Sequence, residues 1–302
     1  MKLIVIGATS YIGSHIYSLA NSKNIKTLGT QRNDGRLKLR HFDLLNSFPS
    51  YIYDFTNTEE RTYAVICSAI ARIDECKNRP EYCYNVNVTA TKRLIDNLLT
   101  LGIIPVFLSS DAVYEGNTGN YIEQNEKKPV TVYGCHKAEI EDYLAKKTDK
   151  HLIFRLCKNI GYKPKERHIF SEWYQKALME EPIYCIENQT FSTVMVDDVA
   201  EAILHACQDG LKGVYNLSSR EVHSRYGLAT TFFNKLCLKA DVQTRDISFF
   251  RFLDKRPLTF SICSDKFVNE TGFVFETTAQ TIQKFSAHVG HRDSESHQRH
   301  PG

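Results

Sequence analysis

The first thirteen residues constrain the fold more than any other segment. Residues 2–7 read KLIVIG, an apolar run of strand character, and Gly7-Ala-Thr-Ser10-Tyr-Ile-Gly13 follows at once, opening a helical pattern over 10–20. A strand, a glycine turn and a helix in immediate succession let backbone N–H groups and a helix N-terminus hold a pyrophosphate. Glycine is needed there because a side chain would strike either the phosphates or the packing helix. Gly7 and Gly13 are thus candidate cofactor residues, with Thr9, Tyr11 and Ile12 between them. Ser10 stands at the place of a middle glycine, where its hydroxyl would narrow the pocket or bind phosphate.

The pattern that follows supports a doubly wound sheet. Apolar runs at 25–30, 63–70, 103–110 and 151–156 read as strands, and amphipathic runs at 83–101 and 132–147 read as helices. Alternating βαβ units imply a Rossmann-like parallel sheet with helices on both faces. After about residue 160 the pattern loosens, then returns to a clear helix in MVDDVAEAILHACQDG, with Asp197 expected as N-cap and Gly210 as stop, and a strand at 214–217. The expected organisation is a nucleotide domain over 1–160 plus about 191–217. A smaller C-terminal α/β substrate lobe takes about 161–190 and 218–285. Residues 286–302 are expected to be a disordered tail.

Composition excludes several classes. Lysine and arginine number 38 against 35 acidic residues, with no basic stripe, so no nucleic-acid partner is implied. No apolar run approaches the roughly 18 residues of a membrane span. The nine cysteines are scattered without a CxxC pair, which argues against a zinc site and for reduced thiols in a cytoplasmic protein. No metal site is expected.

The second strand ends Thr30-Gln31-Arg32. An acidic residue there would accept hydrogen bonds from both ribose hydroxyls of NAD. A neutral end followed by arginine suits a 2′-phosphate instead, favouring NADP(H) over NAD(H). Asp43, with Leu44, follows a short strand and would face the adenine edge. Tyr133 and Lys137 stand four apart on a predicted helix, hence on one face. An ammonium beside a phenol stabilises phenolate and would let the tyrosine exchange protons near neutral pH. Ser110, at the C-terminal end of a central strand, lies where open α/β sheets bind ligands.

The ordered set Gly7-x-x-Ser-x-x-Gly13, Asp43-Leu44, Asn85-Val-Asn87-Val-Thr89, Ser109-Ser110-Asp111, Tyr133-Gly-x-x-Lys137 and Asp197-Asp198-Val-Ala200 resembles the extended short-chain dehydrogenase/reductases. Within their sugar-nucleotide epimerase/dehydratase group it looks most like the dTDP-4-dehydrorhamnose reductase branch, over roughly residues 1–284. The resemblance implies Tyr133 as general acid, Lys137 on the nicotinamide ribose and depressing the tyrosine pKa, and Ser110 orienting the carbonyl. It also implies that Ser68, Ala69 and Asn87 lie near the cofactor. Asp111, Ala112, Lys158, Asn159 and Arg256 would lie near the substrate, the last with its diphosphate. The alternative role for Asn87 and Asp198 is helix capping. His136 precedes the lysine where a small residue is usual, and as an exposed helix residue it is expected to be inert. Relatives often dimerise through helices like 83–101 and 132–147, so a homodimer is compatible.

The same Ser/Tyr/Lys set serves reductases, epimerases and 4,6-dehydratases. A dehydratase needs an acid and a base after the Ser/Thr, and here Asp111 is followed by Ala112, which removes the base. A dissociable NADP(H) fits a reductase, acting on the C4 keto group of a nucleotide-linked 4-keto-6-deoxy sugar for cell-surface polysaccharide synthesis. An NAD-dependent epimerase and a non-catalytic cofactor-binding regulatory subunit stay open as alternatives.

Overall fold

The computed structural model of the chain describes residues 1–33, 39–56 and 59–297, with side chains to 290. Its main sheet is all parallel. In chain order it contains β1 (Lys2–Ile6), β2 (Lys26–Gln31), β3 (Arg40–His41), β4 (Thr62–Ile66), β5 (Ile104–Ser110), β6 (Leu152–Leu156) and, after an excursion, β10 (Gly213–Leu217). They lie side by side as β10-β6-β5-β4-β1-β2-β3. The order reverses beside β1, so the ends of β1 and β4 open the crevice in which such sheets bind ligands. Near-continuous apolar strands are expected of a sheet covered on both faces, and β1, β4 and β6 are buried at every position.

One face is covered by α1 (Tyr11–Ser22) and α8 (Val196–Asp209), whose Ile16, Ala20, Val199 and Ile203 join one core. The other is covered by α5 (Thr91–Thr100) and α6 (Val132–Lys147), through Leu94, Ile95, Leu98, Ile140 and Leu144. The helical run expected over 83–101 is a chain of pieces. The α4 turn (Pro80–Tyr84) passes through a wide π-type turn at Asn85–Ala90 before α5 begins. Such turns concentrate at functional sites, and this one carries Asn87.

A second lobe is built on β7 (Lys158–Ile160), β9 (Thr190–Met195), β11 (Val222–Ser224) and β13 (Thr259–Phe260), with β8 (Ile183–Ile186) and β12 (Val242–Arg245) paired beside them. Thr190–Met195 therefore sits in this second sheet, and the chain crosses to the main sheet only with α8 and β10. The lobe has its own aromatic core around Phe170, Trp173, Phe232 and Phe285. Of the segment 286–302, expected to be disordered, the part up to His297 continues helix α11 (Thr278–His297), and residues 298–302 lie outside the described residues. Ile282, Phe285 and Val289 lie on one helical stripe against that core, a spacing hidden when the segment is cut at 286.

Helix α6, which carries the candidate tyrosine and lysine, is anchored to the sheet by a buried ion pair. Glu141 accepts from Arg155 Nη2 at 2.7 Å and from the Ser109 hydroxyl at 2.5 Å. Arg155 donates onward to the Tyr114 hydroxyl at 2.6 Å. Glu141 and Arg155 are 2% and 4% exposed. Removing one member leaves the other charge buried and unpaired, so Glu141→Ala is expected to lower the unfolding free energy by about 3–5 kcal/mol in urea denaturation.

A second buried carboxylate works in the opposite sense. Asp198 does not cap α8; it accepts from the Glu276 N–H at 2.6 Å and so fixes the approach to α11. Burial, reinforced by the Glu276 carboxylate, pushes its pKa up to about 6. The folded chain then holds this proton more tightly than the unfolded chain. The associated stability is present below the ordinary carboxylate value and is lost as pH rises to about 6. Asp198→Asn, which keeps the acceptor, is expected to raise stability at pH 7 by something on the order of 3 kcal/mol. It should also flatten the pH 4–6 limb of the stability profile relative to wild type.

Candidate active site

The glycine turn lies against β2 and β4. Gly7 has φ +86°, and its N–H donates to Thr30 Oγ1 at 3.1 Å. Gly13 packs on the Gly7 carbonyl oxygen, which a Cβ at position 13 would overlap. Ser10 is the N-cap of α1, accepting from the Gly13 N–H at 3.1 Å. Its oxygen is thus engaged in capping, and its O–H keeps a proton to donate to a phosphate. Beside the turn, the Ser68 hydroxyl is buried and has no hydrogen-bond partner among the described residues. An orphaned donor next to a cradle that admits no side chain fits a pyrophosphate. The residues that would hold a dinucleotide are therefore Gly7, the Ser10–Gly13 backbone and Ser68, with Ala69 in the loop that follows β4. Thr9 is exposed at the tip of the turn and Ile12 packs beneath it.

The ribose end is more open. Arg32 is exposed just past β2, next to residues 34–38, which lie outside the described chain. Asp43 Oδ1 accepts from the Leu45 N–H at 3.0 Å, closing a local turn. Leu44 is buried, and its carbonyl is held by Arg93 at 2.6 Å. Asn87 does not cap a helix. Its amide clasps Ile70 from both sides, accepting from the N–H at 2.8 Å and donating to the carbonyl at 3.0 Å. It is a positioning residue that shapes the loop leaving β4. His136, expected to be exposed, is 5% exposed. It lies 3.4 Å from Asn87 Nδ2 and edge-on to Tyr84, and burial lowers its pKa.

Ser110, Tyr133 and Lys137 converge at the C-terminal edge of β5. Thr131 caps α6 by accepting from the Gly134 N–H at 3.0 Å, which places Tyr133 in the first turn. Lys137 donates to the Leu108 carbonyl at 2.7 Å, with its ammonium 5.7 Å from the Tyr133 ring centre. Burial lowers the Lys137 pKa to about 8. Tyr133 departs from the sequence expectation: its pKa is raised, first by burial and then by the Asp111 carboxylate, with the Ser110 hydroxyl opposing. The ammonium, held by the strand carbonyl, does not offset that rise. A protonated phenol is the form that donates to an oxyanion, so the arrangement suits an acid. Ser110 donates to Asp111 at 2.8 Å, and burial pushes the Asp111 pKa up to about 6.

These groups open into a cleft of about 1370 Å³ between the sheet edge and the second lobe. Ser110, Asp111, Ala112, Tyr133, Lys158, Asn159 and Arg256 all line it. Asn159, which lines it, has a buried Oδ1 with no hydrogen-bond partner among the described residues. Arg256, expected to hold a diphosphate, is already paired: its Nη2 lies 2.8 Å from Asp74 Oδ1. Asp74 also accepts from the N–H groups of Leu253 and Asp254 at 3.2 Å. Asp254 in turn accepts from the Val132 N–H at 2.8 Å, tying this loop to the start of α6. Asp197, expected as a cap, lies inside α8 and pairs with His15 at 2.5 Å. Cleft residues not found from sequence are Arg225 and the aromatic wall of Tyr184, Phe249, Phe250 and Phe252. They lie on segments with no motif, and only the fold brings them to one cleft.

A parallel sheet reversing beside β1, a glycine turn at that reversal and a Ser/Tyr/Lys set at its edge define an extended short-chain dehydrogenase/reductase, an oxidoreductase-type enzyme group. Within that group, the chain belongs to the family described as the RmlD substrate binding domain, whose model matches residues 1–290. The chain is similar to methionine adenosyltransferase 2 subunit beta from Bos taurus, at 29% identity over 142 residues, which are 46% of this chain and 41% of that protein. The Xenopus tropicalis protein of that name is 23% identical over 268 residues, 85% of this chain and 76% of its own length. Among solved structures, dTDP-4-dehydrorhamnose reductase from Bacillus anthracis in complex with NADP has a TM-score of 0.81 at 19% identity, covering 94% of this chain and 99% of that one. UDP-glucose 4-epimerase from Thermus thermophilus, complexed with NAD, has a TM-score of 0.78 at 17% identity, with coverage of 95% and 98%. Among the described residues, no helix is long and apolar enough to cross a membrane, and no side-chain cluster could hold a metal.

Proposed function

We propose that the chain is an NADPH-dependent reductase of the C4 keto group of a nucleotide-linked 4-keto-6-deoxy sugar, in the supply of sugars for surface polysaccharides. The observation that carries the reading is the meeting of Ser110, a protonated Tyr133 and Lys137 at the end of β5, beside the glycine turn. The bound cofactor supplies a hydride. Ser110 donates to the substrate carbonyl and fixes its orientation. Tyr133 delivers its phenolic proton to the oxygen as negative charge develops there. Lys137 offers its ammonium to the ribose hydroxyls and, within the same pocket, opposes charge left on the phenolate. Asp111, with Ala112 beside it, leaves no second carboxylate for an elimination. The exposed Arg32 supports NADP(H) over NAD(H).

The test is NADPH oxidation with dTDP-, UDP-, GDP- and CDP-linked 4-keto-6-deoxy sugars, run beside NADH. Turnover with one nucleotide series, faster with NADPH, is expected. Epimerisation of a nucleotide sugar without net oxidation would transfer the reading to an epimerase. The similarity to methionine adenosyltransferase 2 beta subunits favours a second reading, a non-catalytic regulatory subunit. It predicts tight NADP(H) binding with no turnover on any of these sugars.

A further inference from the structure

Helix α6 brings a third polar side chain to the dinucleotide side. His136 stands between Tyr133 and Lys137 in sequence, and its ring is buried against Asn87, the residue that shapes the loop leaving β4. That loop carries Ser68 and Ala69. A Cβ at Gly7 would lie 3.3 Å from the Ser68 nitrogen, so a small shift of the loop reaches the glycine turn. The hydrogen bonds fix which form of the His136 ring is present. The Ile70 N–H can only donate, so Asn87 Oδ1 is the atom that faces it, at 2.8 Å. Asn87 Nδ2 is then turned toward the Ile70 carbonyl at 3.0 Å and His136 Nδ1 at 3.4 Å. An amide nitrogen offers donors only, so Nδ1 is the bare, accepting nitrogen, and the ring is neutral with its proton on Nε2. Cys76, on α3 (Ile73–Asn78), touches the same amide, its sulfur 3.7 Å from Nδ2 and its thiol proton given to the Ile70 carbonyl.

Protonation of His136 would put an N–H on Nδ1, aimed at the protons of Asn87 Nδ2. Two donors with no acceptor between them repel. His136 and Asn87 are 5% and 6% exposed, so water is poorly placed to repair the loss. The groups around the ring do little for the cation. Lys137, the next residue on α6, opposes it. Glu139 on the same helix favours it, but that carboxylate is already held by Lys92 of α5 at 2.5 Å and by the Tyr84 hydroxyl of α4 at 2.9 Å. Tyr84 otherwise presents its ring, nearly perpendicular to the imidazole at 5.6 Å between centres. Burial is the largest influence and keeps the His136 pKa below the ordinary histidine value. A lost contact at Asn87 also falls on the π-type turn Asn85–Ala90, where the backbone is already irregular.

We propose that His136 is a positioning residue for the dinucleotide site: neutral, it holds the Asn87 clasp on Ile70 and with it the loop carrying Ser68, and protonated, it releases that loop and weakens dinucleotide binding. This rests on the reading of the glycine turn as a dinucleotide site and gives that site a control by pH. The sign follows from linkage. The dinucleotide binds the form in which His136 is neutral, so affinity is full above the ordinary histidine value and is lost as pH falls below it. By reciprocity, a bound dinucleotide keeps the proton off His136.

The experiment titrates the full chain with NADP⁺ and with NAD⁺ by calorimetry, from about pH 8 down to about pH 5. Wild type, His136→Asn and His136→Leu are compared. Asparagine places an oxygen where Nδ1 stands and takes up no proton, whereas leucine fills the space without an acceptor. A phosphate monoester such as the 2′-phosphate of NADP⁺ titrates near about pH 6, so NAD⁺ and the difference from His136→Asn isolate the part due to the protein. Wild type is expected to lose about tenfold in affinity for either dinucleotide across this range, beyond any loss in His136→Asn. His136→Asn should bind within about twofold of wild type at the upper pH. His136→Leu should bind more weakly than wild type there and show no acid step. Heat denaturation at the upper pH reports whether each form is folded, and His136→Asn carries the test by itself where the leucine form is not. An equal acid loss with NAD⁺ in wild type and His136→Asn, or no acid loss in wild type, would overturn the proposal and leave the dinucleotide site standing. No binding of either dinucleotide to wild type at any pH would remove the dinucleotide site and the proposal with it.

Discussion

Tyr133→Phe is expected to lower kcat/KM by about 10²–10⁴-fold, the span of a lost general acid, while NADPH affinity stays within about twofold of wild type. The substitution removes one hydroxyl and keeps the ring, so the first turn of α6 and its Thr131 cap should persist. Burial and the Asp111 carboxylate both hold the Tyr133 proton on, so wild type should carry its acid through neutral pH. Steady-state kinetics give the loss, and quenching of protein fluorescence by NADPH gives the affinity. A comparable fall in affinity would instead mean that the phenol builds the cofactor pocket.

The second large effect is expected at the glycine turn. In Gly13→Ala the new Cβ would overlap the Gly7 carbonyl oxygen and crowd Ser10 Oγ. The turn cannot yield without giving up the Gly13 N–H to Ser10 bond that caps α1. Overpacking of this kind costs about 1–3 kcal/mol, and that strain falls on the N–H groups that would face a pyrophosphate. NADPH affinity should drop by about ten- to a hundredfold. Gly290→Ala is the matched control, since nothing lies within 4 Å of a Cβ there. Equal affinity in Gly13→Ala and wild type would remove this turn from cofactor binding.

The parts of this molecule legible in the sequence are those written in local pattern. The run from β1 through the glycine turn into α1, the strands ending at Ser110 and Leu156, and the four-residue spacing of Tyr133 and Lys137 each follow from periodicity or backbone need. What was hidden depends on partners far along the chain. Asp197 reads as a cap because acidic residues favour helix starts, yet His15 claims it from 182 residues away. Arg256 reads as a phosphate ligand until the fold delivers Asp74 to it. His136 reads as exposed because a polar residue on a helix commonly faces solvent, whereas the α6 face it occupies is covered by Asn87 and Tyr84. Arg225 carries no motif, and only the fold brings it to the cleft, where its Nε is buried without a hydrogen-bond partner among the described residues.

The central claim is a hydride delivered to C4 with a proton from Tyr133. The most direct measurement uses NADPH carrying deuterium at the transferable C4 position and follows the label into the sugar by mass spectrometry and NMR. One deuterium at C4 of the product, incorporated about 10²–10⁴-fold more slowly when Tyr133→Phe is used under the same conditions, is the predicted result. Product free of label, formed while the NADPH remains unoxidised, would contradict it.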